Sequence, residues 1–261
     1  MKKTLALLLL AAMLTAPLAG CSSSDDTEGA DNGSTDGTPT EKEVWLLHTE
    51  YSTREKVKQT YTYDEYGNKI QYTAEDANGN VTATWILEYD DHNNLLKRSV
   101  VSGGKEPFVQ LIMTYDENGK LIERREINTV SESVFTYQYD DQNRVIARLY
   151  QSGNPSETYS YNADGSYKVQ YGSDSGDYAL YDADGNVQER HYGSDTKIVY
   201  SYNQDNVLVE AVQYSGKTIV QKQIFQLDKH GNPVKVIVVN SDGSETVISE
   251  REYKLYKIKV R

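Results

Sequence analysis

The sequence predicts an all-β protein, a long antiparallel meander of repeated β-hairpins that forms one curled or rolled sheet. Three observations support this prediction. A turn motif that starts with Tyr-Asp or a close variant recurs every 20–26 residues. The segments beside it alternate apolar and polar residues, as half-buried strands do. No stretch after residue 40 has helical periodicity.

The first element in chain order is an export signal. Lys2 and Lys3 precede an apolar run, Leu5 to Ala16, which is too short to span a bilayer and has the length of a signal-peptide core. The run leads into the letters LAGC, Leu18 to Cys21. These residues resemble the lipobox of bacterial lipoproteins, whose cysteine is acylated, with palmitate or a similar chain, and becomes the new N-terminus after cleavage.

The lipobox resemblance implies where the protein resides. Residues 1–20 would be a lipoprotein signal peptide, and Cys21 would be lipidated and would anchor the protein to a membrane, outside the cytoplasm, in the cell envelope. The alternative is an ordinary signal peptide followed by a free thiol. Cys21 is the only cysteine of the chain, so an internal disulfide is excluded.

A flexible tether follows the lipobox. The segment from Ser22 to Thr40 is rich in Ser, Gly, Asp and Thr, with almost no apolar residues, so it cannot offset the entropy of ordering. We therefore divide the chain after the signal into a lipidated cysteine with its tether, residues 21–43, and a repeat domain, residues 44–261. As a random coil the tether would span about 25 Å.

The overall charge argues against some partners. The net charge is −12, and it becomes −14 once Lys2 and Lys3 are removed with the signal. Nucleic acid binding requires clusters of Lys and Arg, so we expect no nucleic acid partner.

The turn motif occurs in eight units, and we call the first residue of each unit the lead residue. The lead residues are Tyr63, Tyr89, Tyr115, Tyr139, Tyr161, Tyr181, Tyr202 and Leu227. The next residue is always Asp or Asn, which can accept a hydrogen bond from the backbone two residues on. Three positions further on stands Gly or Asn, which tolerate positive φ. The motif therefore predicts a hairpin tip made of a type I turn and a left-handed residue.

The strand before each tip has one apolar side. Tyr61 and Leu87 share the side of their lead residues, whereas Thr62 and Glu88 point the other way. The residue six after the lead residue should pair with it on the same face, and it is apolar except for Lys69. Counting all strands gives roughly sixteen to eighteen, and a sheet of that size should twist and curl.

The returning strands leave one question open. In five units a second apolar residue follows directly and must point to the other side. These residues are Leu96, Ile122, Ile146, Val209 and Val234. Either the second face is partly covered, or it carries scattered apolar residues.

The repeat resembles the YD repeats of RHS and teneurin-type proteins. The letters YDENGKLIERR, Tyr115 to Arg125, and YDDQNRVIAR, Tyr139 to Arg148, carry the likeness, which covers roughly Val44 to Tyr256. In that family the hairpins form a spiralling sheet that can close into a shell around a toxin. The chain has no Asp-Pro core motif and too few repeats to enclose a toxin. The resemblance therefore implies a small lipoprotein built from the repeat.

The sequence predicts neither an enzyme nor a protein with a metal or cofactor. Its four histidines, His48, His92, His191 and His230, are scattered. The letters DADGN resemble a calcium loop, but a valine stands where that loop needs glycine. A second hypothesis is a hydrolase of envelope polymers that acts through carboxylates such as Asp174 and Asp177.

Tyrosine provides the main ligand-binding hypothesis, because the chain has 22 Tyr against 3 Phe. A buried phenol needs a partner, so the excess indicates rings in a core with hydroxyl groups at a wet rim. Tyr61, Tyr137, Tyr159 and Tyr200 each precede a lead residue by two positions. They are candidates for a row of rings that stacks on a glycan or an envelope protein, and the alternative is that they pack the core.

The predicted function is thus a non-enzymatic, membrane-anchored binding or scaffold protein. The negative charge favours a neutral or cationic polymer over an acidic one. A third possibility is a carrier of an apolar ligand, if the sheet curls around an apolar interior.

Overall fold

The computed structural model describes residues 40–172 and 176–260, and every regular element in these ranges is a β-strand. None of the described residues form a helix with the length and hydropathy needed to cross a membrane. The strands are β1 (Thr40–Ser52), β2 (Val57–Tyr63), β3 (Lys69–Glu75), β4 (Val81–Tyr89), β5 (Leu95–Ser102), β6 (Phe108–Tyr115), β7 (Leu121–Ile127), β8 (Glu132–Tyr139), β9 (Val145–Tyr150), β10 (Pro155–Tyr161), β11 (Tyr167–Tyr171), β12 (Tyr178–Tyr181), β13 (Val187–Tyr192), β14 (Thr196–Tyr202), β15 (Leu208–Ser215), β16 (Thr218–Leu227), β17 (Pro233–Asn240) and β18 (Glu245–Val260). The all-β prediction is confirmed.

The predicted N-terminal segments lie mostly outside the described residues. This holds for the signal peptide, for Cys21 and for the tether up to residue 39. β1 begins at Thr40, four residues before the predicted start of the repeat domain at Val44.

The sheet closes on itself. Each strand pairs antiparallel with the strands before and after it in the chain, and β1 pairs with both β2 and β18. The register between β1 and β18 runs from Thr40 opposite Val260 to Ser52 opposite Ser249. Closure removes the free edges that an open meander would expose. The predicted rolled sheet is confirmed, as a closed barrel of the 18 described strands.

All eight predicted hairpin tips form. In the first tip the backbone N–H of Gly67 donates to the carbonyl of Asp64 (3.2 Å), and the N–H of Asp64 donates to the carbonyl of Asn68 (2.9 Å). The side-chain Oδ1 of Asp64 accepts from two backbone N–H groups of the loop, both at 2.9 Å. The residue predicted to be left-handed has positive φ in every unit, from 58° at Asn206 to 86° at Gly165.

The tips also explain the second apolar residue of the returning strands. The lead residue pairs with the residue six positions later in all eight tips. In all but the hairpin of Tyr161 the register shifts just before the lead residue, which inserts an unpaired residue into the returning strand. Leu96, Ile122 and Ile146 are such inserted residues and are 37–42% exposed. They are scattered apolar residues at bulges.

The side of the strands that carries the lead residues faces the inside of the barrel. Side chains converge on the inside of a closed sheet, so that face should be the more buried. Of eleven buried apolar residues among those described, nine lie on the lead-residue side by the observed pairing: Tyr61, Ala74, Leu111, Phe135, Val169, Ala179, Ala211, Val236 and Val238. We call this side the inner face.

The ends of β1 and β18 form a two-stranded extension. Residues 40–47 pair with β18 and with no other described strand. Lys259 donates its backbone N–H to the carbonyl of Glu65 in the first tip (2.7 Å), and its Nζ pairs with that glutamate. Trp45 stacks on His230 of the last tip, with ring centroids 4.5 Å apart. The extension therefore contacts the tips on both sides of the closure.

Replacing the tip glycine Gly119 tests the left-handed turns. Gly119 has a φ of 78°, and the atom nearest to an added Cβ is Asn94 Nδ2 at 3.8 Å, so the cost of substitution is one of backbone conformation. We expect Gly119→Val to lower the free energy of unfolding by about 1–3 kcal/mol. Gly119→Asn should be nearly neutral, because Asn93 and Asn143 already occupy this position. Equal thermal stability of the two variants would contradict the assignment.

Candidate functional site

Four arginines lie at one repeated position of the inner face. Each stands nine residues after a lead residue, on a returning strand: Arg98, Arg124, Arg148 and Arg190. Arg98 lies opposite Leu87, for example, and Arg148 lies opposite Tyr137. The bulge before each lead residue places position nine, and not position eight, on this face.

Three of these arginines have acceptors on the inner face. Arg124 Nη2 pairs with Glu126 at 2.8 Å. Arg148 Nη2 pairs with Glu157 at 2.9 Å, and its Nε donates to Ser156 Oγ at 2.8 Å. Arg190 Nη2 donates to the hydroxyl of Tyr171 at 3.0 Å. Their charges are thus bound to polar groups of the same strand (Arg124), of the next strand (Arg148) or of the strand two positions away (Arg190).

Arg98 differs from the other three. Among the described residues its side chain has neither an ion pair nor a hydrogen-bond acceptor. Its Nε is buried without a partner, as is that of Arg124, but Arg124 has Glu126 at its Nη2. Lys69 lies on the inner face of β3, across β4 from Arg98. It likewise has no ion pair within the described ranges. Burial lowers the pKa of Lys69, and the charge of Arg98 lowers it further, against an opposite effect of Glu50. This part of the inner face therefore holds two half-buried cations.

Three aromatic rings lie in series next to these cations. Tyr61, Tyr72 and Trp85 occupy β2, β3 and β4, with successive ring centroids 5.8 Å and 4.7 Å apart. The Tyr72 and Trp85 rings are stacked, with 6° between their planes. Lys69 Nζ lies 4.8 Å from the Tyr61 ring centroid and 5.4 Å from that of Tyr72. We call the three rings the ring series.

The hydroxyl groups of most lead tyrosines donate hydrogen bonds to the backbone of the sheet. Six of them donate to a backbone carbonyl of the preceding part of the sheet at 2.6–3.0 Å: Tyr63, Tyr89, Tyr115, Tyr139, Tyr161 and Tyr202. Tyr89, for instance, donates to Lys69 O, at the bulge that follows the first tip. Each such bond contributes about 0.5–1.5 kcal/mol net, and phenylalanine could not form it. The hydroxyl groups are thus satisfied by the backbone, in place of the wet rim expected from the sequence.

The four tyrosines predicted to bind ligand all lie on the inner face, but they occupy β2, β8, β10 and β14, which are not neighbours. No two of these four rings contact each other among the described residues. Tyr61 is 6% exposed and belongs to the ring series, whereas Tyr137, Tyr159 and Tyr200 are half-buried.

Local contacts hold these tyrosines in place. The hydroxyl of Tyr61 donates to Gln59 Oε1 at 2.6 Å, and that of Tyr159 donates to Glu157 Oε2 at 2.7 Å. Burial raises the pKa of Tyr200 to about 12, and it also raises the pKa of Tyr61, Tyr137 and Tyr159. Burial therefore favours the neutral form of all four phenols.

The carboxylates of the hydrolase hypothesis are only partly described. Asp174 lies outside the described residues, and Asp177 Oδ1 accepts a hydrogen bond from the backbone N–H of Gly193 at 2.7 Å. Within residues 40–172 and 176–260, no three His, Cys, Asp or Glu side chains gather where they could hold a metal ion. His191 bonds to Glu189 at 2.7 Å and stacks on Tyr178.

Comparisons with known proteins give distant structural similarity. No family model matches the sequence, and no curated protein matches it. Among solved structures it is similar to TcdB2-TccC3 without its hypervariable C-terminal region, at 13% identity over 77% of this chain, with a TM-score of 0.35. It is also similar to a porin-like protein from Bacteroides uniformis, at 11% identity over 84% of this chain and 98% of that one, with a TM-score of 0.42.

The lengths of these matches differ. The present chain spans only 13% of that TcdB2-TccC3 chain and 11% of TcdB2-TccC3-TEV, where the identity is 11% over 70% of this chain and the TM-score is 0.31. Similarities of this size carry no information on function.

Proposed function

We propose that this protein is a non-enzymatic lipoprotein of the cell envelope, held at a membrane by a lipid on Cys21. Its closed YD-repeat sheet would act as a binding or scaffold surface for a carbohydrate or a protein ligand. The lipobox letters LAGC support the anchor. The ring series on the inner face is the observation that supports binding.

The ring series offers flat apolar surface beside groups that can form hydrogen bonds. Tyr72 and Trp85 are only half-buried, so ring surface remains accessible. Trp85 Nε1–H donates to Gln110 Oε1 at 3.2 Å, which holds the indole in place. Rigid aromatic faces with a few fixed polar groups are typical of ligand sites, and they suit the apolar faces of sugar rings.

The inner face favours this function over the two alternatives. An apolar carrier needs an apolar interior, whereas this face carries the four arginines at position nine, Arg251 and several ion pairs. For the hydrolase alternative, two of the carboxylates on this face are ion-paired: Glu50 with Arg251 at 2.9 Å and Glu157 with Arg148 at 2.9 Å. These glutamates neutralise arginines and are engaged in the fold.

A glycan array probed with the purified lipoprotein tests the binding role. We expect wild type to retain at least one envelope or host glycan, and Trp85→Leu to lose it, because leucine keeps apolar volume but removes the planar ring. Phe135→Leu is a matched control, since Phe135 occupies the same repeat position, four residues before a lead residue, outside the ring series. Absence of any hit, or equal loss in both variants, would count against the proposal.

The anchor has a separate test. Mass spectrometry of the mature wild-type protein should show acyl mass on Cys21, and Cys21→Ser should be released from the membrane fraction without that mass. An unmodified mature wild type would rule out the proposed localisation.

A further inference from the structure

The inner face contains one place where two departures from the repeat coincide. Lys69 is the only charged residue at the position six after a lead residue. Of the four arginines at position nine, Arg98 is the one with neither an ion pair nor a hydrogen-bond acceptor for its side chain among the described residues. They lie on β3 and β5, on either side of β4, and Arg98 is close enough to lower the pKa of both Lys69 and Tyr72.

Two half-buried cations on the same face, separated by one strand and without an ion pair among the described residues, are unfavourable in the unliganded protein. Each repels the other, and the buried Nε of Arg98 has given up hydration without gaining an acceptor. Glu50 is the acid whose charge acts on Lys69, but its Oε1 already accepts from Arg251 at 2.9 Å and from Ser249 at 2.7 Å. A bound anion would supply the missing acceptor.

The ring series restricts which kinds of anion could bind at Lys69 and Arg98. Lys69 Nζ lies 5.4 Å from the Tyr72 ring centroid, and Trp85 stacks on Tyr72. Arg98 lies opposite Leu87, two residues along β4 from Trp85. The ligand should therefore bring a stacking surface together with its negative group. A guanidinium matches the two oxygens of a carboxylate in a bidentate geometry. A pyranose ring that carries a carboxylate combines both features.

We propose that Lys69 and Arg98 bind the carboxylate of an acidic glycan of the uronic acid type, whose sugar ring stacks on Tyr72 and Trp85. This inference rests on the proposed binding function and specifies its ligand class. The net charge of −12 predicted a neutral or cationic polymer as the ligand. The inference differs from that prediction, since its ligand is acidic. The two half-buried cations attract a bound carboxylate more strongly than the negative net charge of the protein repels it, because the more distant surface charges are screened by salt.

Calorimetric titration of the purified lipoprotein in detergent tests this inference with three probes: oligogalacturonate, the neutral oligogalactose of equal length, and a sulfated oligogalactose. We expect oligogalacturonate to bind most tightly and Arg98→Gln to weaken it at least tenfold. Lys97→Gln is the matched control, since it removes the same charge one position away, on the outer face, from an exposed pair with Glu88. It should leave the affinity unchanged.

Stability provides an independent readout. Arg98→Gln removes no ion pair, so its melting temperature should equal or exceed that of wild type, whereas Arg148→Gln should lower it by breaking the contact with Glu157. A lower melting temperature for Arg98→Gln would mean that Arg98 is a structural residue, and would overturn the inference.

The binding outcomes separate the two proposals. Equal binding of the neutral oligosaccharide, or no effect of Arg98→Gln, would overturn the acidic ligand class and leave the proposed function standing. Tighter binding of the sulfated probe would overturn the carboxylate assignment. Failure of every glycan, here and on the array, would overturn both proposals.

Discussion

Tyr61→Ala is expected to lower the free energy of unfolding by about 3–5 kcal/mol. Tyr61 is 6% exposed, packs against Tyr72 and lies under Lys69, so truncation leaves a cavity in the inner face and exposes apolar surface. Its effect should exceed that of Tyr200→Ala, because Tyr200 is half-buried. Chemical denaturation measures both values.

Tyr61→Phe is the matched control for this change. It keeps the ring and removes the hydrogen bond to Gln59, so we expect a loss of about 0.5–1.5 kcal/mol. A loss below about 1 kcal/mol for Tyr61→Ala would mean that the ring is a surface platform with no role in the core, against the burial described here.

Alkaline unfolding between pH 10 and about 12 is the second large effect that we expect. Burial raises the pKa of Tyr89, Tyr200 and Tyr202 to about 12, and it raises the pKa of other inner-face tyrosines as well. An unfolded tyrosine titrates near pH 10. Since the folded pKa is the higher one, the fold favours the neutral phenol, and this stabilisation is complete below pH 10 and is lost as the pH rises towards 12.

Tyrosinate absorbance and circular dichroism, recorded together, test this expectation. The two signals should change in one cooperative transition well above pH 10, because ionisation of one phenol weakens the sheet around its neighbours. In concentrated urea the absorbance should instead rise near pH 10. Ordinary titration near pH 10 in water, with the circular dichroism unchanged, would show that the phenols are not buried.

The hairpins were predictable from sequence because their determinants are local. The Asp or Asn after each lead residue and the Gly or Asn three positions later fix the turn within five residues, as the contacts of Asp64 and Gly67 illustrate. The alternation that ends at Tyr61 and Tyr63 likewise fixed the buried side of its strand. Local hydrogen bonding and side-chain period thus determined the hairpins and the buried side of their strands.

The candidate site was less accessible to sequence reasoning because it depends on contacts between hairpins. Each of the four arginines stands nine residues after a lead residue, a spacing that is visible in the sequence. The face on which they lie depends on a bulge that the turn motif does not predict. The partner of Arg148 is Glu157 on the next strand, and the variable loops between hairpins hide that register. That the side chain of Arg98 has no acceptor among the described residues is seen only when the positions of all neighbouring strands are known.

The pairing of β1 with β18 has a consequence for how the protein is made. Most strand contacts join segments close in the chain and can form as the chain is synthesised, but this one joins residues 40–52 to residues 249–260. Until the final strand emerges, the growing sheet has two unpaired edges that could recruit another chain. Contacts of such high sequence separation form slowly, because a long loop must close first. The chain is therefore most exposed to aggregation just before β18 pairs with β1.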